Sequence, residues 1–180
     1  MKLPQGRLRR RRVVTDLATP LESALDSELT GYVRLRSQDA LLLDAEGVGV
    51  LTFEDGIPVL AYHTGTDCGG VDALADIAVA GPYRIELYEL DGEVLTEIHD
   101  EPTLAVEPGM PAEQLTGDVE LAQRTRDKAP DDRLEAATEL SSELDAVEAF
   151  LEDEDRISNI REAARQEAQT RAAEWGFDTE

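Results

Sequence analysis

The chain has 180 residues, enough for one domain with a buried core, or for a domain and a helical appendage. The 40 Asp and Glu residues stand against 17 Lys and Arg, a net charge of −23, yet 41% hydrophobic residues in periodic blocks exclude a disordered polyanion for most of the length. A single cysteine, Cys68, excludes an internal disulfide and any multi-cysteine zinc site, and no apolar run is long enough to span a bilayer.

Such a charge balance suits a cytoplasm with molar salt, where screening makes a dense carboxylate surface tolerable and the surplus charge keeps the protein soluble. The composition looks like that of a salt-in halophile of haloarchaeal type, so acidic surface carries no functional message by itself. Residues 1–12 run the other way. They hold six of the 17 basic residues, Arg7, Arg9, Arg10, Arg11 and Arg12 among them. Val13-Val14 passes directly into Thr15-Asp16, so the arginines precede no apolar export core and a cytoplasmic location is expected. Two readings of this basic arm (residues 1–18) stand: it touches nucleic acid or another anion, or it lies against the protein's own acidic surface. Phosphate contacts weaken steeply with salt, which favours the second.

Thr19-Pro20-Leu21-Glu22 opens a short amphipathic helix, with Thr19 as cap, Pro20 in the first turn, and Leu21, Ala24, Leu25 and Leu29 on one face. Thr30-Gly31 ends it. Tyr32 to Arg36 alternates as a strand, and Ala40 to Leu43 reads as another before a turn at Asp44-Ala45-Glu46-Gly47.

The organising stretch is Gly47 to Gly65, two apolar runs around Glu54-Asp55-Gly56, the strongest hairpin signal in the chain. A two-residue Asp55-Gly56 turn pairs Glu54 with Ile57. A three-residue loop pairs Phe53 with Ile57 and places Gly49, Leu51, Phe53, Ile57, Val59 and Ala61 on one wholly apolar face. The second register is the expected one, because its inner face carries no polar residue. Its other face includes Val48, Val50, Leu60 and Tyr62, too apolar to leave in water. The terminal helices or a partner must cover it, and these four residues are the candidate contact surface.

Val71, Leu74, Ile77 and Ala78 predict a helix over about Gly70 to Ala80, stopped by Gly81-Pro82. Tyr83 to Tyr88 alternates as a strong strand. Residues 93–98 fit a strand or a helical turn. Three prolines between His99 and Pro111 predict a linker at 99–110. Beyond it, 111–128, 141–152 and 154–175 read as helices, with a link from Lys128 to Ala137. The last helix carries a narrow stripe of Ile157, Ile160, Ala164, Ala168, Ala172 and Trp175, suited equally to docking on the sheet or to pairing with another helix. The expected fold is therefore α+β: a small, mostly antiparallel sheet with a central hairpin and one crossover helix in a domain over 19–98. An N-terminal helix and a C-terminal helical region over 111–180 complete it.

Residues 29–90 resemble the PATAN family, the small α/β module found beside two-component and roadblock-type regulators. The resemblance is carried by Leu29-Thr30-Gly31-Tyr32-Val33-Arg34-Leu35, by Gly49 through Ala61, by Gly70-Val71-Asp72-Ala73-Leu74, and by Gly81-Pro82-Tyr83-Arg84-Ile85. It implies protein–protein contact in signalling, with no chemistry to transfer.

The residues themselves predict no catalytic, cofactor-binding or metal-binding constellation. His63, Asp67 and Cys68 cluster in one loop, and Cys68 precedes a helix, which would assist a thiolate, but no oxyanion motif accompanies it. His63 and His99 lack the companions of a zinc site, and Glu152 to Asp155 reads as a solvated helix start. The expected function is a non-enzymatic protein–protein adaptor, acting on another protein or on a second copy. A nucleic-acid regulator using the basic arm, and a thiol enzyme at Cys68, are the alternatives.

Overall fold

The computed structural model describes residues 4–38, 47–78, 81–99 and 101–135, together with Arg171. The chain forms two compact units, Met1–Ala137 and Thr138–Glu180; in the second, Arg171 is helical and exposed. The expected strand Ala40 to Leu43, the helices 141–152 and 154–175, and the alanine stripe lie outside the described residues.

In the first unit, strands β1 (Arg7–Val14), β2 (Gly31–Ser37), β3 (Gly49–Glu54), β4 (Ile57–His63), β5 (Cys68–Gly69) and β6 (Tyr83–Glu89) make one sheet. Its order is β1-β6-β2-β3-β4-β5, with every neighbouring pair antiparallel. The helices are α1 (Ala18–Asp26), α2 (Gly70–Ile77), α3 (Gly92–His99), α4 (Met110–Thr116) and α5 (Val119–Lys128). This is the α+β fold read from the sequence. Helix α2 is the crossover, carrying the chain from edge strand β5 to β6 deep in the sheet.

The central hairpin takes the two-residue turn, not the three-residue loop. Asp55 and Gly56 both have positive φ, 48° and 83°, the pair of left-handed residues such a turn needs. Glu54 therefore pairs with Ile57, and Phe53 with Pro58. The reason lies outside the hairpin. The Gly56 N–H donates to the Leu29 carbonyl (2.9 Å), and the Asp55 N–H to Thr30 Oγ1 (3.1 Å), so the exit from α1 moulds the turn. A Cβ on Gly56 would stand 2.8 Å from the Ala24 carbonyl oxygen.

A bulge then restores the phase. Leu51 pairs with Ala61, leaving Val59 and Leu60 opposite Thr52 alone. The displaced Leu60 N–H donates to the buried Thr52 Oγ1 at 3.1 Å. Leu51, Phe53, Ile57 and Ala61 thus share one core cluster, as the expected register also required, while Val59 is buried outside it.

That core lies between the sheet and a helical layer. Val33, Leu35, Tyr83 and Ile85 from β2 and β6 meet Leu21, Ala24 and Leu25 of α1, Leu74 and Ile77 of α2, Ala112 of α4, and Leu121 and Ala122 of α5. Leu25, Leu51, Phe53, Leu74 and Ile85 are almost fully buried, each contributing about 1.5–3 kcal/mol by removal from water. Helix α1 begins two residues earlier than expected, at Ala18 rather than Pro20, and Asp16 Oδ1 rather than Thr19 accepts a first-turn N–H, that of Ala18 (2.9 Å). Residues 93–98 are helical, within α3. The expected helix 111–128 is broken at Gly117 (φ 70°), and Asp118 Oδ1 caps α5 by accepting from the Leu121 N–H at 2.9 Å.

Neither expected link behaves as a spacer. In 99–110, Ala105 bridges Leu60, the Val106 N–H donates to the Val59 carbonyl (3.0 Å), and Val106 is buried. In 128–137, residues 131–135 are helical. Arg133 there donates to the carbonyls of Pro58 (3.0 Å) and Val106 (3.1 Å), and burial lowers its pKa. Helix α5 is tied to α1 by Arg124, which reaches Glu22 (2.9 Å) and Asp26 (3.0 Å). The apolar contacts of α4 and α5 make residues 101–135 part of the same core as the sheet, and the division between units falls after Ala137.

Candidate functional site

The sheet face away from α1, α2, α4 and α5 carries the other half of each alternating strand, and the end of α3 reaches it where His99 meets Thr52. Arg34 and Arg36 stand two apart on β2, Arg84 and Glu86 two apart on β6, and Arg11 on β1 pairs with Glu86. The three strands lie side by side, so these residues converge on one cleft of about 210 Å³, lined by Arg11, Arg34, Arg36, Arg84, Glu86 and Val48. In a chain with net charge −23, the described residues lining this cleft bring four guanidiniums to one carboxylate.

Glu86 is fully engaged. Oε1 pairs with Arg11 Nη2 (2.7 Å), while Oε2 meets Arg34 Nη1 (3.7 Å) and accepts from the Tyr88 hydroxyl (3.1 Å). Arg36 and Arg84 are left without a carboxylate among the described residues. Arg84 Nη2 donates to the Gln38 amide oxygen at 3.4 Å, and Arg36 is exposed and makes no ion pair there. These two arginines are direct partners across β2 and β6, so their Cβ atoms are held roughly 4.5–5.5 Å apart. Guanidiniums so placed present planar, permanently charged forks, the side-chain geometry that matches oxyanions bidentately.

The surface expected from the hairpin is not available. Val48, Val50, Leu60 and Tyr62 are all buried, at 7, 2, 1 and 9% exposure. Val48, Val50 and Tyr62 form a second small core with Tyr32, against which Tyr88, Leu90 and Leu104 pack. Tyr32 and Tyr88 stack at 4.8 Å between centroids, and the Tyr32 hydroxyl donates to the Pro4 carbonyl (3.2 Å). The chain itself supplies the lid that this apolar face demanded.

The basic arm is a strand. Arg7, Arg9, Arg10, Arg11 and Arg12 all lie in β1, an edge strand paired with β6. Arg9 pairs with Glu89 at 3.2 Å and Arg11 with Glu86, so two of the five are spent on the protein's own carboxylates. Arg11 alone lines the cleft. Sequence reasoning missed Arg34, Arg36 and Arg84, although their i, i+2 spacing on alternating strands was visible. The neighbourhood of β1, β6 and β2 joins segments roughly fifty to eighty residues apart in sequence, and nothing local announces it.

The loop of His63, Asp67 and Cys68 is held by a set of hydrogen bonds. Cys68 faces His63 across β4 and β5, and its thiol donates to the Thr66 carbonyl (3.6 Å). His63 Nδ1 lies 3.1 Å from Thr66 Oγ1, whose hydroxyl donates to Asp76 Oδ2 (2.5 Å), closing the loop on α2. Asp67 accepts from the Tyr62 hydroxyl, which raises the tyrosine's pKa. His99 stands apart, with Nε2 3.1 Å from Thr52 Oγ1. Among the described residues no three His, Cys, Asp or Glu side chains converge as a metal site, and no helix is long and apolar enough to cross a membrane.

No curated protein and no solved structure matches the chain. One family does match, over residues 2–177, and the chain belongs to it: the family described as domain of unknown function DUF8572.

Proposed function

We propose that the protein is a non-catalytic adaptor module, working inside the cell, whose contact surface is the arginine-lined cleft of β1, β6 and β2 and whose partner is a protein presenting a short acidic element. The observation that carries this reading is the Arg36–Arg84 pair, two like charges held opposite one another with no carboxylate between them among the described residues. A surface that served only solubility in so acidic a chain would not gather arginines. The order of elements that resembles the PATAN family, a contact module of regulators, supports the same reading.

Two features favour a protein over nucleic acid. The flat faces of Tyr32 and Tyr88 are stacked on one another rather than open to bases, so the aromatic platform of a single-strand binder is absent from this patch. A long polyanion would also leave the cleft and meet the remaining acidic surface. A short acidic element would not, since at molar salt screening confines its interaction to groups in near-contact, within about 3 Å.

The test is affinity purification at the ionic strength of the source cytoplasm with mass spectrometry, comparing wild type with Arg36→Glu and Arg84→Glu. A partner retained by wild type and lost by both variants is expected. Identical recovery by all three proteins would end this reading. Nucleic acid recovered in an arginine-dependent way would instead revive the regulator alternative.

A further inference from the structure

We infer that the cleft between Arg11, Arg34, Arg36 and Arg84 is a binding site for a phosphoryl group, carried on the partner protein or taken as free phosphate; this rests on the cleft being the contact surface. The charge decides the class of ligand. Among the described residues that line it, the cleft holds a surplus of three positive charges, four arginines over Glu86. A carboxylate brings a single negative charge on a planar group, whereas a phosphate monoester brings about −1.5 to −2 and three acceptor oxygens arranged in space.

The layout of the donors agrees. They come from three adjacent strands, so they approach one point from different directions: Arg11 from β1, Arg84 from β6, Arg34 and Arg36 from β2. A tetrahedral oxyanion can accept from several forks at once, and an Arg–phosphate pair is commonly bidentate. Size sets the other bound. At about 210 Å³ the cleft is smaller than the roughly 300–1,000 Å³ that encloses a drug-sized molecule, so it fits an anionic group rather than a whole nucleotide. Glu86 has its own part here. Held by Arg11, Arg34 and the Tyr88 hydroxyl, it fixes two of the guanidiniums and leaves Arg36 and Arg84 to move onto the ligand.

Arginine side-chain NMR on the full chain tests this at constant ionic strength, with chloride replaced by inorganic phosphate, and separately with a phosphoserine peptide and its unphosphorylated twin. Saturable shifts at Arg36 and Arg84 are expected with phosphate and with the phosphopeptide. Arg36→Gln and Arg84→Gln should each weaken binding by about tenfold or more. Arg9→Gln, outside the cleft, should change it by less than about twofold. A phosphopeptide that binds more tightly than inorganic phosphate assigns the group to the partner; equal binding assigns it to the free anion. Unsaturable shifts spread over all arginines, or an unphosphorylated acidic peptide that binds as well as the phosphopeptide, overturn the inference. The two readings fail separately: partner capture that depends on Arg36 without any phosphate site sinks this inference alone. Saturable phosphate binding with arginine-independent capture sinks the adaptor reading and leaves an anion site.

Discussion

Arg36 on β2 and Arg84 on β6 face each other directly across the ladder, and Arg84 Nη2 donates to the Gln38 amide oxygen at 3.4 Å. Like charges in direct cross-strand register destabilise a sheet, by an amount on the scale of a single pair, about 0.2–1 kcal/mol. Arg84→Gln should therefore raise the free energy of unfolding by about that much at low ionic strength, and the gain should fade as salt screens the pair. Denaturant titrations of wild type and variant at two salt concentrations measure it. A variant less stable than wild type at both would mean that the guanidinium contributes by packing, not by repulsion.

Gly56 answers two demands at once. Its φ of 83° is left-handed, and a methyl group there would press on the Ala24 carbonyl oxygen at the end of α1. Gly56→Ala should cost about 1–3 kcal/mol from the backbone conformation alone, and more from the contact. A urea midpoint displaced to lower concentration with an unchanged slope is the expected result. An unshifted midpoint would mean that the turn can relax to another type.

The hairpin explains how much of the fold could be read in advance. Alternation of Tyr32 to Arg36 and of Tyr83 to Tyr88 and the Glu54-Asp55-Gly56 signal are local, and each produced the element it announced, whereas α2 ends at Ile77 with Ala78 as its cap, ahead of the expected Gly81-Pro82 stop. Loop length was not local. It was decided by Leu29 and Thr30, which reach the turn from α1. The phase of the inner face survived the wrong turn only because the bulge opposite Thr52 added back the missing residue. Prolines between His99 and Pro111 imitated a linker, yet Ala105 and Val106 join the β4 edge there, a pairing no periodicity announces. The site was less legible than the fold. Arg11, Arg34, Arg36 and Arg84 meet through strand order, and Val48, Val50, Leu60 and Tyr62 look like open surface although all four are buried, three of them in the small core with Tyr32.

Thr52 is fully buried, and its hydroxyl oxygen holds the bulge by accepting from the Leu60 N–H at 3.1 Å, with His99 Nε2 equally near. Thr52→Val keeps shape and branching but leaves that N–H without its acceptor, at a cost of about 1–3 kcal/mol. Thr52→Ser keeps the oxygen and should recover most of this loss. Unfolding free energies of the two variants separate the hydrogen bond from packing. Equal losses in both would place the energy in the threonine methyl.

The tyrosines give the fold an alkaline limit with a defined sign. Burial raises the pKa of Tyr32 and Tyr83, and the Asp67 carboxylate that accepts the Tyr62 hydroxyl raises that of Tyr62, each from an ordinary value of 10.0. The folded chain then keeps protons that the unfolded chain releases. The stabilisation from these phenols is fully present below pH 10.0 and is lost as pH rises through their folded values. Unfolding free energy should fall above that point, while phenolate absorbance of the native protein lags that of the unfolded protein. Tyr62→Phe should shallow the alkaline fall, because it removes a proton held against a carboxylate. It should also lower stability at neutral pH by about 1.5–3 kcal/mol, the scale of a hydrogen bond to a charged group. An alkaline fall of equal steepness in Tyr62→Phe would assign the whole linkage to the buried rings of Tyr32 and Tyr83, and the Tyr62–Asp67 contact would then serve only to hold the loop into β5.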